Sequence, residues 1–251
     1  LRIAALREEL PDVPMLALTA SATLEVQKDI CEKSEFQNHQ IFRQSFERAN
    51  LSYSVFKVDS KINKIIEVLR KVNGTSIVYC KSRKRTKELS ELLQLQQISS
   101  DYYHAGLVQE ERSKRQEAWI NNKTRVIVCT NAFGMGIDKP DVRTVIHADV
   151  PDCLENYYQE AGRGGRDGKT AYAVLLYDDR DIHELEKLAD LRFPSLKDIR
   201  DVYQSIANYL QIPVGSGEGE YYDFDISDFL KKFKLVGHTT LYSLKSLEQE
   251  N

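Results

Sequence analysis

No C-x-x-C pair occurs in the 251 residues; Cys31, Cys80, Cys129 and Cys153 are scattered singly, each in or beside an apolar segment. Such spacing argues against a zinc site and for core thiols in a reducing, cytoplasmic setting, nucleoid-associated if the source is bacterial. Long apolar runs are missing too. Nothing approaches the roughly 18 to 20 residues of a membrane-crossing helix, and the first ten residues carry Arg2, Arg7, Glu8 and Glu9 inside their apolar pattern. Neither a membrane span nor a secretory leader is therefore expected. Six prolines and 12 glycines are too few for a collagen-like or low-complexity chain. A basic excess is also lacking, since 35 Lys+Arg stand against 38 Asp+Glu for a formal net charge of -3. Any contact with nucleic acid has to be local and built from motifs rather than from a charged tail.

What remains, 41% hydrophobic and 29% charged residues, is the composition of a globular chain with a real core. Arg2 to Leu10 has helical periodicity, Met15 to Thr19 suits a short buried strand, and a capped helix is expected from Thr23 to about Glu32. Extended segments follow near Ile41 to Phe46 and Ser52 to Val58. From there helices and strands alternate. Helices are expected at Lys61 to Val72, Arg83 to Gln96, Glu110 to Ile120 and Leu154 to Ala161. Strands are expected at Ser76 to Cys80, Ser99 to Tyr103, Arg125 to Cys129, Thr144 to His147 and Ala171 to Leu176. Apolar strands alternating with helices predict an α/β fold, a parallel sheet with helices on both faces. After Tyr177 only helical patterns remain, broken at Phe193-Pro194 and at the run Gly215-Ser216-Gly217-Glu218-Gly219.

Parallel sheets bind ligands at the carboxyl ends of their strands, which directs attention to the loops after Cys80, Tyr103, Cys129 and His147. Thr130-Asn131-Ala132-Phe133-Gly134-Met135-Gly136-Ile137-Asp138 has two glycines that admit close backbone approach and a carboxylate suited to ribose hydroxyls. It reads equally as a strand-to-helix turn capped by Asp138. Gln159-Glu160-Ala161-Gly162-Arg163-Gly164-Gly165-Arg166-Asp167-Gly168 sets two arginines among four glycines, and planar, always-charged guanidinium groups are the preferred clamp for phosphate. A helix C-cap at Gly162 explains one of those glycines but not the run.

Together with Val78-Tyr79-Cys80-Lys81-Ser82-Arg83 and Tyr103-His104-Ala105-Gly106-Leu107, these strings resemble the second RecA-like lobe of superfamily 2 helicases, specifically the RecQ family. Leu16-Ala17-Leu18-Thr19-Ala20-Ser21-Ala22-Thr23 resembles the motif that ends the first lobe. The resemblance implies an ATP-dependent 3′ to 5′ DNA helicase acting on single-stranded and forked DNA in repair or recombination, with ATP and Mg²⁺ as cofactors and no zinc. Carried onto this sequence, Gln159, Arg163 and Arg166 face ATP, with Arg166 as the finger; Asp138, Gly134 and Gly136 serve the nucleotide or the contact between lobes. Ser82, Arg83, Ala105, Gly106, Thr130 and Asn131 match positions that grip a sugar-phosphate backbone. His104 reads as a packed ring or as a DNA contact, and Trp119 as core. Left open beside this are an RNA helicase or duplex translocase of the same superfamily, and a non-catalytic nucleic-acid-binding module.

The match has departures. Gly164 stands where the family usually has Ala. No G-x-x-x-x-G-K-[ST] phosphate loop and no D-E-x-H acid box occurs, so the chain is expected to begin after both and to be inactive alone. No cysteine follows Cys153 to form the zinc module many relatives carry. The implied organisation is the end of the first lobe at 1–45, the second lobe at 46–178, a helical connector at 179–213, a flexible loop at 214–224 and a helix-turn-helix or winged-helix-like start at 225–251. In that last segment Ile226 to Phe233 and Thr239 to Glu248 read as helices about a turn at Leu235 to His238. Lys231, Lys232, Lys234 and Lys245 give it a basic face; a plain two-helix scaffold is the alternative.

Overall fold

The computed structural model describes residues 13–19, 22–36, 39–45, 47–134, 137–213, 216 and 219–249, in two compact units, Leu1–Asp178 and Asp179–Asn251. In the first unit α1 (Leu24–Lys33) precedes β1 (Leu51–Lys57), α2 (Lys61–Lys71), β2 (Thr75–Tyr79), α3 (Arg83–Leu95), β3 (Ser100–Tyr103) and α4 (Gln109–Ile120). Then come β4 (Val126–Cys129), β5 (Val142–His147), α5 (Leu154–Ala161) and β6 (Ala171–Tyr177). The strands form one sheet in the order β1-β6-β5-β2-β4-β3. Every pairing in it is parallel.

The central strand β2 is buried along its whole length, because Thr75, Ser76, Ile77, Val78 and Tyr79 have neighbours on both faces. On one face Ile65 and Leu69 of α2 and Leu89 and Leu93 of α3 pack on Val78, Val126, Val128 and Ile146. These positions recur every three or four residues, the stripe an amphipathic helix turns toward a sheet. On the other face Trp119 of α4 packs with Ile77, Ile127, Val145, Phe133 and Ile137, and its indole N–H donates to the Ser76 carbonyl at 3.1 Å. The core assignment of Trp119 is correct. Ala161 of α5 lies with Leu51, Ala171 and Ala173 nearer the β1 edge.

Several expectations change. Among the described residues no helix joins β4 to β5; Phe133 and Ile137 of this connection fill the core where a helix would otherwise sit. Asp138 therefore caps no helix. The segment around Met15 to Thr19 forms no strand, and Leu16 and Leu18 are 77% and 84% exposed. Residues 41–45, expected as an extended segment, join no sheet, and Phe42 is 87% exposed. An apolar extended segment becomes a strand only where a ladder partner and a covering layer exist, and neither sheet edge pairs with these residues. The helix expected at Arg2 to Leu10 lies outside the described residues. Thr23 does cap α1, its hydroxyl accepting from the Val26 amide at 3.3 Å.

The second unit has α6 (Asp179–Arg192), α7 (Leu196–Leu210), α8 (Ile226–Phe233) and α9 (Gly237–Gln249). A capping box between Ser195 and Asp198 starts α7 just past Pro194. Tyr209, Phe224, Phe229 and Phe233 meet edge-on or tilted, with centroids 5.0 to 6.4 Å apart. Phe229 at their centre is fully buried. The last helix starts two residues before the expected Thr239, and the Thr240 hydroxyl donates to the Val236 carbonyl at 3.0 Å. The glycine-rich segment from 214 lies mostly outside the described residues.

Candidate functional site

Two groups of residues carry the chemistry. Since β5, β2, β4 and β3 are neighbours and parallel, the loops leaving their carboxyl ends are adjacent. Ser82 caps α3, its hydroxyl accepting from the Arg85 amide at 3.5 Å. Arg83 extends over the next loop but one, where a Cβ on Gly106 would lie 3.1 Å from its Nη1. Ser82, Arg83, Ala105, Gly106 and Asn131 are exposed. Thr130 is not. It is 7% exposed, its amide donating to the Tyr103 carbonyl and its carbonyl accepting from the Phe133 amide. Its hydroxyl is a poor candidate for a surface contact, and the reason is that it anchors the turn that presents Asn131. His104 is partly buried beside Tyr102, its Nδ1 unpartnered. Burial, then the Arg83 guanidinium, hold its imidazole below the ordinary range.

Asp149, which no sequence motif singles out, organises this edge. Buried just beyond β5, it accepts from the Lys81 amide at 3.0 Å and from Arg85 Nη1 at 2.6 Å, with Lys61 Nζ at 3.5 Å. One carboxylate thus ties β5, α2 and the turn carrying Ser82 and Arg83. A lone Asp before Val150-Pro151 gives no signal of this in the sequence.

The arginine loop, residues 162–170, backs onto the amino ends of β5, β6 and β1. The Gly165 amide donates to the Val142 carbonyl and the Asp167 amide to the Pro140 carbonyl. Arg48, just ahead of β1, donates through Nη2 to the Gly164 and Gly165 carbonyls at 3.0 Å. Asn50 adds bonds to the Gly165 and Lys169 carbonyls at 2.6 and 2.9 Å. Both residues were missed, because polar residues before a strand look like ordinary linker. Gly165 has a φ of +60° and no room for a Cβ beside Asn50 and the Lys169 carbonyl. Gly164 faces Leu51, whose Cδ1 would lie 3.1 Å from an added Cβ. This is a packing reason for glycine at that position.

Each arginine of the pair is fixed to the loop after β4. Arg163 donates through Nη1 to the Gly134 carbonyl at 2.6 Å, while its Nε is buried and unpartnered. Gly134 has a φ of +132°, and an added Cβ would collide with the Arg163 guanidinium. Arg166 Nη1 reaches Asp138 Oδ1 at 2.7 Å and the Ile137 carbonyl at 3.3 Å. The Arg166 and Asp138 side chains are 36% and 83% exposed. Gln159 is exposed on α5, and Gly136 lies outside the described residues. Arg163, Arg166, Gly134 and Asp138 are therefore one assembly, of which the carboxyl-end rule points only to the loop after β4.

Comparison with known proteins bears on the family. Residues 60–168 match the helicase conserved C-terminal domain. The chain is 44% identical over 187 residues to the ATP-dependent helicase SGS1 of Saccharomyces cerevisiae, covering 72% of this chain and 13% of that protein. It is 42% identical over 195 residues to the RecQ-like DNA helicase BLM of Xenopus laevis, covering 75% of this chain and 14% of that protein. The chain carries a helicase C-terminal region of the RecQ type. It spans about a seventh of the length of these two relatives. The RecA-like fold is shared with S. cerevisiae Dbp5, solved with RNA and ADP BeF3, at a TM-score of 0.59 and 19% identity over 74% of this chain and 51% of that one. Among the described residues, no group of three or more His, Cys, Asp or Glu side chains is arranged to hold a metal ion. No described helix is long and apolar enough to cross a membrane.

Proposed function

We propose that this chain supplies the arginine-bearing lobe of an ATP-dependent DNA helicase that moves 3′ to 5′ on single-stranded DNA and opens forks in repair or recombination. The observation that carries the reading is the joining of two motif loops through Arg163 to the Gly134 carbonyl and Arg166 to Asp138. A loop that bears phosphate-binding charge is thereby coupled mechanically to the loop that begins at Asn131 beside the proposed DNA edge. Residues 1–45 belong, on this reading, to the end of the preceding lobe, and 225–251 to a winged-helix-like start whose lysines meet duplex.

The residues suit a nucleotide. Arg166 is exposed enough to exchange the Asp138 carboxylate for a phosphate, and the buried Nε of Arg163 has a donor to spare. Bound ATP supplies the phosphoanhydride whose hydrolysis drives the cycle. Arg166 offers a fixed positive charge to the charge that develops there. Gln159 and Asp138 orient, and Gly134 lets Arg163 approach its backbone. Ser82, Arg83, Ala105, Gly106 and Asn131 hold the sugar-phosphate backbone without reading bases, and Thr130 shapes their edge. Magnesium ligands and the phosphate loop are assigned to residues outside this sequence.

Strand separation by the full-length gene product tests the proposal. DNA-stimulated ATP hydrolysis and unwinding of a 3′-tailed duplex are expected, with 5′-tailed DNA and tailed RNA left intact. Unwinding of RNA in preference to DNA, or DNA binding with no hydrolysis, would replace it with one of the two competing readings.

A further inference from the structure

His147, the last residue of β5, is fully buried in the β5–α5 layer, a costly position for an imidazole unless its ring serves a purpose. It stacks on Tyr79 at 5.3 Å and meets Tyr157 edge-on at 4.8 Å. Its Nε2 lies 2.9 Å from Glu160 Oε2. A carboxylate only accepts, so Nε2–H donates. These contacts continue in two directions. On one side the Glu160 carbonyl accepts the Arg163 amide at 3.2 Å, at the turn into the arginine loop. On the other, the Tyr79 hydroxyl donates to the Phe133 carbonyl at 3.3 Å, one residue before the Gly134 carbonyl that Arg163 holds.

We propose that His147, Glu160 and Tyr79 are positioning residues that set the arginine loop against the Gly134 loop. The inference rests on the helicase reading for the activity it modulates. The contacts close a ring, from His147 through Glu160, Arg163, Gly134, Phe133 and Tyr79 back to His147. Because both loops are fastened to one buried ring, a shift of either is transmitted to the other through packed groups with little room to yield. Packing alone does not require this chemistry. Two apolar side chains of similar volume would fill the space between Tyr79 and Tyr157, and replacing a buried polar pair in that way is often neutral or stabilising. The polar pair instead fixes the direction of Glu160 and the turn that follows it.

The test uses the full-length protein and the paired variant His147→Phe with Glu160→Leu, read by steady-state ATP hydrolysis on single-stranded DNA and by hydrogen exchange. The paired variant should lose about tenfold or more in kcat, as a misplaced charge in a catalytic constellation does, while KM for ATP stays within about twofold. His147→Gln, whose amide can still donate to Glu160, should recover most of the loss. In an Arg163→Ala background the paired change should have no further effect on kcat, which a general weakening of the fold would not produce. Amides of Arg163, Gly164 and Gly165 should lose protection while those of β2 and β4 keep theirs. Should the paired variant not fold, His147→Asn, too short to reach Glu160, carries the same readouts. Normal kcat with normal protection overturns the proposal, as does a kcat loss of equal size in the Arg163→Ala background. An unmodified protein that does not hydrolyse ATP on DNA removes the helicase reading instead, and the exchange data alone then judge the ring.

Discussion

Replacing Asp149 by Ala separates the fold's needs at the carboxyl edge from those of its surface charges. The carboxylate is 9% exposed and shared by Lys61, also 9% exposed, and Arg85, 41% exposed. Removing one member of a buried ion pair costs about 3 to 5 kcal/mol, because its partner's charge stays desolvated. Arg85 can turn to solvent, which screens its share, whereas Lys61 cannot, so the lower end of that range, about 3 kcal/mol, is expected. For a unit of this size about 2 to 4 °C of Tm accompany each kcal/mol, giving a fall of about 6 to 12 °C in the calorimetric transition of the first unit. Hydrogen exchange at the Lys81 amide should accelerate, since its acceptor is gone. Asp149→Asn should lose less, because an amide oxygen still accepts from Lys81. A loss below about 1 kcal/mol with unchanged protection at Lys81 refutes the assignment of Asp149 as the tie at this edge.

Thiol labelling should follow burial: Cys153 is exposed, whereas burial, reinforced by the Asp149 carboxylate, pushes the Cys80 thiol up to about 12, and burial raises Cys129 well above its usual range. Native protein should alkylate first at Cys153 and at Cys80 and Cys129 only on unfolding; early labelling of Cys129, read by mass spectrometry, contradicts the packing. Gly134→Ala should abolish DNA-stimulated ATP hydrolysis in the full-length protein with modest change in DNA affinity, because the new methyl collides with the Arg163 guanidinium at a left-handed φ. Neutralising Lys231, Lys232 and Lys245 together should weaken fork binding and lower its log-log salt slope by roughly one for each phosphate that a lysine no longer neutralises; an unchanged slope leaves a plain helical scaffold. Elemental analysis of tag-free protein should find no stoichiometric zinc, and its presence would overturn the reading of the four scattered cysteines.

The alternating core was legible because each element declares itself by period: Thr75 to Tyr79 is an unbroken β-rich run, and Ile62, Ile65, Ile66 and Leu69 recur on one helical face. Strand ends moved by only one or two residues. What misled was apolarity without a partner, as at Leu16 and Leu18, where the sequence pattern of a strand meets no sheet edge. The β4–β5 connection misled in the opposite sense, since Phe133 and Ile137 fill the core without any helical period. Both site strings could be read from glycine and arginine spacing, yet their union could not. The ties of Arg163 to Gly134 and Arg166 to Asp138 join residues about 28 positions apart, across a β-α-loop unit. Asp149, Arg48 and Asn50 stayed hidden for a related reason: their importance lies in which amides and carbonyls they meet, and single polar residues flanking strands carry no pattern.

The central claim is that the arginine loop serves ATP hydrolysis on DNA, and turnover by Arg166→Ala in the full-length protein tests it most directly. Arg166 is the more exposed of the pair and among the described residues is held by the exposed Asp138 and one carbonyl, so its removal leaves the part-buried Arg163 contact in place. Steady-state ATP hydrolysis at saturating single-stranded DNA should fall about a hundredfold or more, with ATP affinity much less affected. Near-normal turnover by Arg166→Ala, alongside loss of turnover by Arg163→Ala, would reverse the roles of the two arginines, and normal turnover by both would contradict the account.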